Sequence, residues 1–152
     1  MRRHIKEIIL HCSATPEGRD VKAKDIRLWH KKLGWSDIGY HYVIDLDGTI
    51  EKGRDESIAG AHCVGHNKNS IGICYIGGCD KTMYAQDTRT PEQKESMYRL
   101  VYQMMEKYGL TIDAVYTHNL FANKACPSFT ISDFKKEFQR WINEKKQNDQ
   151  RP

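Results

Sequence analysis

The chain has 152 residues, of which 39% are hydrophobic and 29% charged, with a formal net charge of +4. That length closes one hydrophobic core in a single domain, and the balance excludes both a disordered chain and a membrane-embedded one. The mild positive charge suits an anionic partner without choosing between nucleic acid and a bacterial envelope.

No apolar run approaches the roughly 20 residues that a spanning helix requires. After Arg2 and Arg3, the interruptions at Lys6, Glu7 and His11 leave only Ile8, Ile9 and Leu10 in sequence, too few for a signal peptide. The expectation is synthesis in a cytoplasm. Five cysteines, an odd number without a secretion signal, point to free or metal-bound thiols rather than a disulfide framework.

Ile8 to Leu10 reads as a buried strand ending in the polar turn His11-Cys12-Ser13-Ala14-Thr15-Pro16. Side chains alternate along a strand, so His11 and Cys12 face opposite ways, and Cys12 reads as a packing thiol. Asp20 is the expected N-cap of a helix over 21–33, with Ile26, Trp29, His30 and Leu33 on its buried face and Gly34 as the stop. His30 on that stripe reads as a hydrogen-bonded core histidine.

Two β-prone runs, 38–46 and 49–52, flank Asp47-Gly48 and predict a hairpin with a type I′ turn. Alternation puts Tyr40, Tyr42 and Ile44 on one face, and His41, Val43 and Asp45 on the other. The glycine-rich segment 53–78 holds a loop bearing His62 and His66, then a strand over 70–76. Gly72 inside that strand marks a close backbone approach or a bulge. Residues 79–89 read as an exposed connection.

Thr90-Pro91-Glu92-Gln93 is a capping box with proline at the first helical position. Met97, Leu100, Val101, Met104 and Tyr108 then mark one face of a helix that Gly109 ends. A last helix is expected over 132–145, with Phe134, Phe138, Trp141 and Ile142 inward. The domain is drawn as 1–146, leaving 147–152 as a polar, frayed tail.

Ala114, Val115 and Tyr116 form a strand-like run leading into the loop 117–129. That loop carries His118, Lys124 and Cys126. A neutral imidazole and a thiolate are good zinc ligands, and distant His11 is the best third. The rival reading of the same residues is a surface histidine and a half-buried thiol. The whole is an α/β fold, a single mixed sheet of about five strands with helices packed on it, with His11 and His118 at strand ends.

Several stretches resemble the zinc-dependent N-acetylmuramoyl-L-alanine amidases of the type 2 amidase family, which includes phage lysozyme-like endolysins and peptidoglycan recognition proteins. They are Ile9-Leu10-His11-Cys12-Ser13-Ala14-Thr15, Trp35-Ser36-Asp37-Ile38-Gly39-Tyr40-His41-Tyr42, Asp47-Gly48-Thr49-Ile50, Gly53-Arg54, Gly60-Ala61-His62, His66-Asn67-Lys68-Asn69-Ser70-Ile71-Gly72-Ile73 and Lys124-Ala125-Cys126-Pro127-Ser128-Phe129. They run in the family's order from about residue 8 to residue 129.

The resemblance implies zinc ligands at His11, His118 and Cys126, an active-site tyrosine at Tyr40 and a catalytic lysine at Lys124. The substrate it implies is the amide between N-acetylmuramic acid and L-alanine in peptidoglycan. Two neutral imidazoles and one thiolate around Zn²⁺ leave a net single positive charge and an open position, the mark of a catalytic site. Lys124 can supply charge to the oxyanion or merely offset the thiolate. Tyr40 can hydrogen-bond the attacking water or the oxyanion, shuttle a proton, or pack at the rim.

Arg54, His62, His66 and Asn67 are expected to line the groove for the glycan and stem peptide. The compact size looks most like the short phage endolysins, acting as a monomer on the wall after release or export. No membrane or nucleic-acid partner is expected. A non-catalytic peptidoglycan-binding receptor is the alternative function.

Overall fold

In a computed structural model, described over residues 3–149, the chain forms a five-stranded sheet with helices on both faces. Its elements are β1 (Glu7–Cys12), β2 (Thr15–Pro16), α1 (Ala23–Lys32), β3 (Tyr42–Ile44), β4 (Ile50–Lys52), β5 (Ser70–Tyr75), β6 (Gly78–Cys79), α2 (Pro91–Tyr108), β7 (Val115–Thr117) and α3 (Ile131–Asp149). The sheet order is β4-β3-β5-β1-β7, with β4 antiparallel to β3 and the other pairings parallel. This is the expected mixed sheet.

Alternation along β1 and β5 divides the core in two. Ile8, Leu10 and Cys12 with Ile71, Ile73 and Tyr75 pack under α2 and α3, against Met97, Val101, Phe134 and Phe138. On the other face Val21, Ala23 and Ile26 of the α1 region pack on Ile38, Val43 and Ile76. His11 and Gly72 fall on this second face, opposite the larger core. The separation of His11 from Cys12 follows from the pleat.

Helix α2 is built as its sequence dictates. The Thr90 hydroxyl accepts from Gln93 N–H at 3.0 Å, Gln93 Oε1 accepts from Thr90 N–H at 2.9 Å, and Gly109 ends the helix at φ +66°. Gln93 also donates its amide to the carbonyls of Ile44 and Ile76, tying the helix start to β3 and the end of β5.

Four expectations change. First, α1 starts at Ala23 behind Lys22, whose N–H donates to Asp25, rather than behind Asp20. Of its predicted face only Ile26 is buried; Trp29 stays 41% and Leu33 68% exposed, because just the first turns of α1 lie over the sheet. His30 is half-buried and does hold a hydrogen bond, accepting from Gly39 N–H at 2.8 Å.

Second, the hairpin turn has positive φ at Gly48 alone, with Gly48 N–H bonded to Asp45 O and Asp45 N–H to Thr49 O. That pattern is a type I turn closed by a left-handed glycine, not type I′. A Cβ at 48 would also lie 2.8 Å from Glu92 O of α2.

Third, residues 79–89 are not only an exposed connection. β6 pairs in parallel with β2, and Arg89 is buried. Fourth, α3 runs four residues beyond its predicted end to Asp149, so the expected tail is helical as far as the described residues reach. Residues 150–152 of that tail lie outside them.

Asp45, 3% exposed, has one carboxylate oxygen with no partner among the described residues, and the other 3.5 Å from Lys22 Nζ. Burial and the adjacent Glu51 carboxylate push its pKa up to about 7. The unfolded chain releases this proton above about pH 4, while the folded one holds it to near 7. The group's contribution is therefore intact at low pH and lost as pH rises through 7. Asp45→Asn should gain stability relative to wild type on going from pH 4 to pH 8 in urea titrations, and a constant difference would show that the pair does not share a proton.

Candidate metal centre

Strand register brings the two histidines together. Leu10 pairs with Thr117 across β1 and β7, so the next residues, His11 and His118, emerge side by side at the C-terminal ends of neighbouring parallel strands. Their rings lie 4.5 Å apart between centroids. Such strand ends are where open α/β sheets place their sites.

Cys126 is brought in by its loop. Tyr75 donates its hydroxyl to Pro127 O at 2.7 Å, and Ser128 donates its own to Gly78 O at 2.7 Å, so both residues that follow the cysteine are pinned to the β5–β6 region. Asn119 donates to Phe129 O at 3.1 Å and spans the loop from its other end. The Cys126 sulfur then accepts from Cys12 N–H at 3.2 Å and lies 3.9 Å from His11 Nδ1.

One ligand atom from each of His11, His118 and Cys126 lies within 4.8 Å of the others. Tetrahedral zinc with ordinary Zn–N and Zn–S bonds needs donor separations of about 3.4–3.6 Å, so a contraction of about 1.4 Å at most brings the three donors to bonding distance. The donor chemistry also fits. Burial, then the neighbouring His62, His118 and Lys124, hold His11 well below the ordinary imidazole pKa; burial and Lys124 lower His118. Both rings are neutral with a lone pair to give. The side-chain hydrogen bond with the Cys12 thiol, then burial, outweighs the Cys12 N–H and holds the Cys126 thiol well above its ordinary range, so a cation must displace its proton and binding tightens as pH rises.

The ring of Tyr40 lies 5.1 Å from that of His11. The alternation expected across 40–44 breaks here, since regular pairing begins only at Tyr42. Tyr42 and Ile44 enter the large core, whereas Tyr40 packs on the α1 side with His11. Burial first, then the nearby thiols, pushes its phenol well above the ordinary range. Lys124 is exposed, and its charge is felt at both His11 and His118.

The residues read as groove-lining sit differently. Arg54 donates to the carbonyls of Ile38, Ala59 and Asp37. Asn67 Oδ1 accepts from the N–H groups of His62 and Cys63. His62 is 8% exposed, its Nδ1 2.8 Å from His11 Nε2 and its Nε2 3.1 Å from the Ser70 hydroxyl. Burial lowers it to about 3. Only His66 keeps an accessible ring among these four, stacked 3.8 Å from Phe121 and bonded to Glu7 at 2.9 Å.

The residues missed from sequence are Cys12 beside Cys126, Ser70 behind His62, and Phe121. Gly72 was the available signal. A Cβ there would lie 2.6–2.8 Å from three atoms of the His62 ring, which is the close approach that a glycine in mid-strand announces.

Comparison with known proteins adds independent findings. Residues 1–129 match the family model described as N-acetylmuramoyl-L-alanine amidase. The chain is 44% identical over 131 residues to the endolysin of Escherichia phage T7, covering 86% of this chain and 85% of that one. It is 40% identical over 130 residues to the endolysin of Klebsiella phage KP32, with the same coverage of 86% and 85%. Among solved structures, the N-acetylmuramoyl-L-alanine amidase LysC from Clostridium intestinale URNW superposes with a TM-score of 0.75 at 29% identity, over 90% of this chain and 87% of that one. Bumblebee PGRP-SA gives 0.71 at 28% identity, over 87% and 81%.

Proposed function

The chain belongs to the N-acetylmuramoyl-L-alanine amidase family, and we propose that it works with a zinc ion held by His11, His118 and Cys126. It is an endolysin-like peptidoglycan amidase, hydrolysing the amide between N-acetylmuramic acid and the L-alanine of the stem peptide. The observation that carries the zinc reading is the approach of three ligand atoms, from β1, the end of β7 and the late loop, to within 4.8 Å.

When bound, the ion supplies Lewis acidity to the scissile carbonyl and lowers the pKa of a water molecule at its open position. The protein's own groups do the rest. His11 is buried, whereas His118 is half-exposed and Lys124 exposed, so the site opens on the side of the late loop and the scissile amide enters there. Tyr40 keeps its phenolic proton and donates a hydrogen bond to the oxyanion that forms when the amide is attacked. Lys124, whose charge already reaches both histidines, adds positive potential at the same oxygen. The outward ring of His66, backed by Phe121, offers a flat surface to the glycan or peptide.

Among the described residues no helix is long and apolar enough to cross a membrane. The substrate is peptidoglycan, approached from solvent.

Digestion of purified cell walls tests the reaction. The expected product is new alanine amino termini without new reducing sugar ends, lost on chelation and restored by zinc; binding without cleavage would mark a receptor. Tyr40→Phe should fold as wild type and lower kcat by about 10²-fold, the usual cost of one oxyanion donor. A wild-type kcat would leave Tyr40 a packing residue.

A further inference from the structure

His62 has two ring nitrogens, and both are occupied inside the protein. Nδ1 meets His11 Nε2 at 2.8 Å, and Nε2 meets the Ser70 hydroxyl at 3.1 Å. The backbone N–H of His62 is taken by Asn67 Oδ1 at 2.8 Å. No polar atom of the ring is left for a substrate, and the residue is 8% exposed.

The direction of these bonds follows from His11. Its Nδ1 is the atom turned toward Cys126, at 3.9 Å, so Nδ1 must carry the lone pair that a cation would take. The ring proton then sits on Nε2 and is donated to His62 Nδ1. His62 consequently bears its own proton on Nε2 and donates it to Ser70 Oγ. One chain of hydrogen bonds, His11 to His62 to Ser70, fixes which nitrogen of His11 faces the site.

The ring of His62 is seated for this. A Cβ at Gly72 would lie 2.6, 2.7 and 2.8 Å from its Cδ2, Cγ and Nε2, and a Cβ at Gly60 2.6 Å from Cδ2. Neither glycine position has room for a Cβ beside the ring. His41 stands edge-on to the ring, 5.8 Å between centroids, itself anchored by accepting from Gly72 N–H at 3.0 Å.

We propose that His62 is a positioning residue of the metal site: through its hydrogen bond it locks His11 in the tautomer and orientation that present Nδ1 to zinc. Hydrogen-bond partners of this kind tune metal affinity by about 10–100-fold in other proteins. The proposal rests on the zinc reading above.

The test measures zinc affinity by competition with a chromophoric chelator in wild type, His62→Ala and His62→Gln. It also reads the His11 tautomer of the metal-free proteins from two-bond ¹H–¹⁵N NMR. The proposal expects His62→Ala to weaken zinc binding by about 10–100-fold and to lose the Nε2-protonated tautomer of His11. In His62→Gln, the carboxamide oxygen accepts from His11 and the amide donates to Ser70, and most of the affinity should return. KM for a soluble muropeptide should change less than about twofold in the zinc-saturated variants.

Unchanged zinc affinity and tautomer in a folded His62→Ala, with a raised KM, would overturn the proposal and make His62 a substrate contact. Should His62→Ala not fold, His62→Gln with wild-type tautomer and affinity sustains the proposal; a His62→Gln that folds but binds zinc no better than about 100-fold below wild type overturns it. Failure of wild type itself to take up one zinc is a separate result that removes the metal reading.

Discussion

Cys126→Ser is expected to leave a folded protein with less than about a tenth of an equivalent of zinc and wall-hydrolysing activity lower by on the order of 10³-fold or more. The size follows from what the sulfur does. Of the three proposed ligands it alone would bring negative charge to the cation, and a serine hydroxyl stays neutral in the same place. The loop need not collapse, because three of its anchors do not involve the sulfur. Tyr75 holds Pro127 O, Ser128 holds Gly78 O, and Asn119 holds Phe129 O. Metal content and wall-digestion rate on one preparation check the expectation. Normal turnover by Cys126→Ser at limiting zinc would contradict the ligand assignment, and unfolding of the variant would show as loss of circular dichroism rather than of metal alone.

Arg89→Met carries the largest expected loss of stability, about 3 kcal/mol, or a Tm lower by roughly 6–12 °C for a chain of this size. The Arg89 side chain is fully buried between Asp87 at 2.9 Å and Glu137 at 3.0 Å, and its guanidinium lies 3.8 Å over the ring of Phe129. Methionine fills much of the volume but leaves two carboxylates facing each other without a cation. Both acids keep some contact with water, which sets the estimate at the low end for a broken buried pair. The change should also loosen the segment that carries Cys126, since Phe129 lies three residues beyond it. Double variants distinguish the two causes. Arg89→Met with Glu137→Gln should recover part of the loss if unpaired charge dominates, and none if packing on Phe129 does.

The parts of the fold that were legible in the sequence are those whose signals are local. The capping box at Thr90 and Gln93, the apolar run of β1 and the glycine after α2 each report a choice made within a few residues. What could not be read locally was set by distant partners. Trp29 and Leu33 share the period of a buried face, yet only the beginning of α1 reaches the sheet, so a correct helix carried an incorrect interior. The two-residue strands β2 and β6 pair residues more than sixty positions apart and have no periodicity to detect.

The site divides the same way. Side-chain type and family resemblance pointed to His11, His118 and Cys126; the Leu10–Thr117 register supplies the physical reason that the two histidines meet, and the pinned late loop brings the cysteine to them. Arg54, His62 and Asn67 have the chemistry of groove residues, and sequence carries no record of which carbonyl or imidazole has already taken their hydrogen bonds. Gly72 was an exception. A glycine in the middle of a buried strand signalled a close approach, and the approaching group is the ring that backs His11.

Anomalous diffraction at the zinc absorption edge, on crystals of the protein grown with one equivalent of zinc, addresses the central claim most directly. The account predicts one strong peak, about 2.0–2.1 Å from the nitrogens of His11 and His118 and about 2.3 Å from the Cys126 sulfur, with a fourth side open to solvent. A peak elsewhere on the chain, or one that excludes any of these three residues at full occupancy, would contradict it.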